Sequence, residues 1–187
     1  MIKKILLVTF AIFFLSSCFG GDISEFGDAG LVLYKSEEFS INTPASWDTI
    51  TDNKNILPKP STGTISLAVS SDRELNGFLN NLVILSEELK ENISSTEYSN
   101  LNNIGSKNDY YQYKLLSESD IEFEGSEIIS KLYIFEARYS QKTPKVNFLQ
   151  TAIVCPNNKG HLLTIGLSQT LTEFTRYIDI FESFECN

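Results

Sequence analysis

The 187-residue chain carries 15 Lys and Arg against 24 Asp and Glu, a formal charge of −9, with one His and three Cys. Hydrophobic residues at 42% and charged residues at 21% make a globular composition, which excludes wholesale disorder, and the length hardly suffices for two domains. The acidic balance excludes a nucleic-acid binder, and three Cys with one His cannot close a Cys/His zinc site without carboxylate help.

Residues 1–17 place Lys3 and Lys4 before an apolar run, 5–15, interrupted only by Thr9, and then Ser16 and Ser17 precede Cys18. As a helix, that run rises roughly 16 Å, too short for a hydrocarbon core of ~30 Å. A charged start, an apolar centre and small residues before a cleavage point are the order of a secretory signal peptide. Leu15-Ser16-Ser17-Cys18 also resembles the lipobox of bacterial lipoproteins. The resemblance implies a diacylglycerol on the Cys18 thiol, cleavage before Cys18 and acylation of the new amine. No other cofactor is expected. Two or three acyl chains anchor a protein lastingly without a transmembrane helix. The expected location is therefore exported and lipid-anchored, at the cell membrane or the outer membrane. Phe19 stands where inner-membrane retention would favour Asp, so the resemblance implies outer-membrane sorting in a cell that has one. Loss of Lys3 and Lys4 with the signal takes the formal charge to −11. Residues 18–30, with four Gly and three acids, read as a flexible tether.

One domain is expected over 31–187. Segments 31–35 and 38–43 read as strands around a Ser36-Glu37 turn, Pro44 to Trp47 as a turn, and 48–62 as a loop. Ile65, Leu67 and Val69 alternate in a strand over 64–70, 71–77 reads as a connection, and 81–89 as a central strand. Ser94 and Glu97 fit a capping box, which predicts a helix with Tyr98, Leu101 and Ile104 on its apolar face, closed by Gly105. Strands follow at 110–124 and 127–139 around Gly125. The second carries Ile129, Tyr133, Phe135, Ala137 and Tyr139 on one face, with Lys131 interrupting. A hairpin joins 145–155 to 160–168. A last helix starts at a capping box of Thr170 and Glu173 and carries Leu171, Phe174, Tyr177, Ile178, Phe181 and Phe184 as one stripe. Runs of strands with two helices predict an α+β class, a twisted antiparallel β-sheet with helices covering its faces.

The order of these features resembles the PsbP/DcrB-like superfamily. The matching pieces are Tyr34, the run Phe39 to Pro44 leading to Trp47, Phe78-Leu79-Asn80-Asn81 entering a strand, and the helix around Tyr98 to Ile104. The Gly125 hairpin, the pair 132–139 and 146–154, and the final Glu182-Ser183-Phe184 complete it. The resemblance implies a fold only, because members use it for unrelated tasks.

Candidate chemistry is sparse. His161, at a strand start, is expected to be a half-exposed strand residue, since no G-x-S-x-G elbow or similar nucleophile motif accompanies it. Glu118, Asp120, Glu122 and Glu124 alternate along one strand and could present a row of carboxylates to a divalent cation. The competing reading is a solvated edge that resists aggregation. The Tyr residues read as packing groups, and there is no glycine-rich phosphate loop, CxxC or HExxH. After Cys18 is lipidated, Cys155 and Cys186 leave one possible disulfide, and a helix running back along the last strand would bring them together. Two free thiols are the alternative. Two functions remain. One is a non-catalytic, membrane-anchored binding or assembly module, its partner an unnamed envelope protein or ligand. The other is a weak cation-binding or metal-dependent hydrolytic protein using residues 118–124.

Overall fold

A computed structural model describes residues 30–50, 60–168 and 174–187. In chain order these form β1 (Leu31–Lys35), β2 (Phe39–Pro44), β3 (Trp47–Thr49), β4 (Thr64–Leu75), β5 (Phe78–Glu88), α1 (Ser95–Asp109), β6 (Tyr111–Glu122), β7 (Ile129–Arg138), β8 (Val146–Val154), β9 (Lys159–Ser168), α2 (Thr175–Glu182) and β10 (Glu185–Cys186). A seven-stranded sheet has the order β3-β4-β5-β9-β8-β7-β6, and a three-stranded sheet the order β1-β2-β10. Every pairing is antiparallel. The domain is α+β, as the sequence predicts.

Alternation along β8 assigns the two faces of the large sheet, because successive side chains of a strand point oppositely. Leu149 and Ile153 join the main core with Leu67, Leu82, Ile84, Leu163 and Ile165, beneath Phe39 and Ile41 of β2 and Tyr177, Ile180 and Phe181 of α2. Each fully buried side chain of this size contributes about 1.5–3 kcal/mol. Phe148 and Gln150 face α1 instead. The small sheet and α2 therefore cover one face together, where a helix alone was expected.

Residues 71–77 are not a connection. β4 runs on to Leu75, which pairs with Phe78, so the link is the two-residue turn Asn76-Gly77, with φ of 51° and 78°. That conformation suits the right-handed twist of a hairpin and is open to Asn and Gly. Helix α1 starts as predicted, Ser94 Oγ accepting from the Glu97 amide, but it passes Gly105 and ends at Asp109.

Its apolar stripe is a correction of larger consequence. Tyr98 is buried, yet Leu101 and Ile104 are 54% and 55% exposed. The buried face is instead Ser95, Tyr98, Ser99, Asn103 and Ser106. Directional bonds hold it: Ser99 Oγ donates to the Lys131 carbonyl at 2.7 Å, Ser106 Oγ to Gln150 Oε1 at 2.8 Å, and Tyr113 to Asn103 Oδ1 at 2.7 Å. Ser95 Oγ accepts the Val154 amide at 2.8 Å. The Tyr98 ring lies over Gly160, where a Cβ would meet it at 2.7 Å. Buried hydroxyls and amides need partners, and the sheet supplies them.

The last helix is also shorter than predicted. α2 covers Thr175–Glu182; Leu171 and the Thr170/Glu173 capping box lie outside the described residues. Phe184 is buried beyond the helix, and the chain then pairs as a strand, Cys186 opposite Phe39.

Candidate functional site

The single histidine lies near the end of the main core. His161 follows the β8–β9 turn, in register with Ser86 of β5. It is 1% exposed, not half-exposed. The aromatic residues that bury it come from elements the chain order does not place nearby: Phe39 of β2 and Phe184 after α2, each with its ring centre 5.3 Å from the imidazole. Ser66 Oγ donates to Ser86 Oγ at 2.6 Å, and Ser86 Oγ lies 2.8 Å from His161 Nδ1. A serine hydroxyl carries one donor and two acceptor lone pairs, so Ser86 Oγ serves Nδ1 in either neutral imidazole tautomer while accepting from Ser66. Burial pushes the imidazole down to about 4, against the opposing pull of Glu38. A base this weak is poorly matched to taking a serine proton at neutral pH. A serine–histidine contact exists, but it is a core hydrogen bond closed over by phenylalanines.

Beside it stands the disulfide. Cys155 at the end of β8 and Cys186 in β10 are bonded, with Cα atoms 5.7 Å apart. The pairing matches the sequence expectation, though β10 delivers Cys186 by pairing with β2, not by a helix running back along the sheet. Lys159 bonds Glu38, just before β2, and lies 3.5 Å from Glu88 of β5, so the Glu38 pair ties the same end of β9 to the small sheet.

Glu118, Asp120 and Glu122 lie on β6, the outermost strand of the large sheet, but Glu124 falls past its end in the turn toward β7, so the four do not form the single strand row expected. Two strands separate β6 from β9, so the row stands roughly 14 Å from His161's strand at ~4.8 Å per strand. Its members do not act together. Lys131 Nζ lies 2.8 Å from Asp120 and 3.9 Å from Glu118, and so a cation of the protein already occupies that stretch. Glu122 and Glu124 face Glu182, and burial together with repulsion from Asp179, Glu124 and Glu122 raises Glu182 above its ordinary value. Among the described residues no group of three or more His, Cys, Asp or Glu is placed to hold a metal ion. Cys18 and the segment before it lie outside the described residues.

No protein-family model and no curated protein matches the chain. Among solved structures, a Pseudomonas aeruginosa protein of unknown function aligns at 13% identity and TM-score 0.47, over 75% of this chain and 84% of its own. A Bacteroides thetaiotaomicron structure aligns at 11% identity and TM-score 0.39, over 80% of this chain and 45% of its own. Likenesses of this size assign no function.

Sequence reasoning named His161 but missed Ser66 and Ser86. A serine on each of two adjacent strands carries no local signal, and the pairing of β5 with β9 that unites them is a long-range contact.

Proposed function

We propose that the chain is an exported lipoprotein, held to a membrane through diacylglycerol and acyl chains on Cys18. Its domain, PsbP/DcrB-like in the order of its elements, acts as a non-catalytic binding or assembly module. The observation that carries the reading is the Cys155–Cys186 bond, because disulfides persist in oxidising compartments and are rare in the cytosol. That supports export from evidence independent of the N-terminal sequence. The withdrawn, weakly basic His161 and the dispersed acidic row favour binding over hydrolysis. Lys131 among the carboxylates weighs against the cation-binding alternative.

Cys18→Ala tests the anchor. The variant is expected to lose incorporation of labelled palmitate and to change its membrane fractionation, remaining as an uncleaved precursor or leaving as a soluble product. Unchanged labelling and fractionation would refute it.

A further inference from the structure

The ends of interior strands enclose a groove of about 410 Å³ at one end of the large sheet. Asn76 and Phe78 come from the β4–β5 turn, Arg138 from the end of β7, Lys145 and Val146 from the start of β8, and Ser168 from the end of β9. Small-molecule sites commonly enclose ~300–1,000 Å³ and combine an apolar lining with a few polar groups. Phe78 and Pro144 supply the apolar part. Phe78 stacks on Tyr139 at 6.1 Å, and Tyr139 packs edge-on against Phe148 at 5.2 Å, so the groove wall continues into a firm aromatic layer.

The charge of this corner is opposite to that of the chain. Residues 138–145 contain Arg138, Lys142 and Lys145 and no acid, in a protein of net charge −9. Lys145 is neutralised by Glu136 at 2.6 Å. Arg138 is not. Its Nε donates to Gln112 Oε1 at 3.1 Å and one terminal nitrogen to the Thr143 carbonyl at 2.6 Å. Among the described residues no carboxylate comes within ion-pair distance of it. Two neutral acceptors fix the guanidinium plane and leave its charge uncompensated in a half-buried position. A guanidinium held this way is matched by a planar or tetrahedral oxyanion, which it can meet with parallel N–H donors.

We propose that the groove binds a small organic anion with an aromatic or compact apolar body, its anionic head on Arg138 and its body against Phe78 and Pro144. This gives the binding-module reading a ligand class without depending on Cys18, so the palmitate experiment and the one below fail separately.

The probe is 2-naphthoate, measured by equilibrium dialysis at pH 7 with the full chain in detergent, against detergent alone. One molecule is expected to bind per chain, with the neutral 2-naphthamide binding at least about tenfold more weakly, as befits a hydrogen-bonded charge pair. Arg138→Gln is expected to weaken naphthoate by the same factor. Asn76→Asp keeps a residue type that tolerates positive φ and places a negative charge at the groove mouth, so it is expected to weaken binding severalfold with the melting temperature preserved. Absence of saturable uptake at about 10 mM probe, or unchanged affinity in Arg138→Gln, overturns the proposal. If Arg138→Gln melts early, unchanged affinity in Asn76→Asp overturns it equally.

Discussion

Acidification is expected to destabilise this domain through one identifiable group. His161 ordinarily would titrate near 6.5 and here, desolvated by burial, titrates at about 4. The unfolded chain therefore takes up a proton between those values while the folded chain does not. The sign follows: the neutral-imidazole contribution is intact above pH 6.5, declines as pH falls, and is gone below about 4. A displacement of this size corresponds to about 3 kcal/mol, a large part of the ~5–15 kcal/mol that holds an ordinary domain folded. Because the chain has a single histidine, its imidazole resonance can be followed by NMR without assignment ambiguity. Urea unfolding at pH 7, 5.5 and 4, on the wild type and His161→Gln, isolates the same quantity, since the carboxylates titrate alike in both. The wild type should lose about 3 kcal/mol more than the variant across that interval. An imidazole midpoint near 6.5, or parallel stability curves for the two proteins, would refute the assignment of His161 as a buried neutral group.

Reducing Cys155–Cys186, which closes a separation of 31 residues, should lower unfolding stability by about 3.7 kcal/mol on the chain-entropy estimate; denaturant titration with and without dithiothreitol measures it. Gly160→Ala drives a methyl to 2.7–2.8 Å from the Tyr98 ring, which is held by its hydroxyl's bond to Glu87. A loss of about 1–3 kcal/mol is expected from overpacking, read as a lowered melting temperature. Glu182→Gln removes a carboxylate from the end of α2 that faces Asp179, Glu122 and Glu124. It should raise stability by about 0.5 kcal/mol, and a decrease in the denaturation midpoint would contradict that account.

Strand periodicity served well where one face is apolar. The 145–155/160–168 hairpin appears in the fold, and Leu67 and Val69 reach the main core, but a register shift between Ile65 and Leu67 breaks the predicted alternation and leaves Ile65 out of that core. Asn76-Gly77 was legible too, since that dipeptide is a strong hairpin signal, but the polar run from Ser70 to Glu74 hid the continuing strand. What a local reading could not supply was tertiary. Leu101 and Ile104 look like the inward face of α1 only on the assumption that helices bury their apolar residues; here the sheet offers Gln150, the Tyr113 hydroxyl and backbone groups of β7 and β8, and the helix turns its Ser and Asn side chains to them. His161 looks accessible beside its turn because Phe39 and Phe184, which cover it, lie 122 residues before and 23 after it in sequence. The groove cations were invisible for the same reason, as Asn76 and Arg138 meet only when the sheet closes.

The polar seam under α1 also bears on the order in which the molecule assembles. Hydrophobic collapse needs no particular geometry, and the face of the large sheet beneath β2 and α2 can form by it. Hydrogen bonds made by Ser95, Ser99, Asn103 and Ser106 gain little until their partners on β6, β7 and β8 are already in register, because water satisfies both sides until then. Docking of α1 is therefore expected to be a late event, on the native side of the rate-limiting barrier. Removing one of its bonds, as in Ser106→Ala, would act chiefly on the unfolding rate and leave the folding rate nearly unchanged, the signature of contacts absent from the transition state.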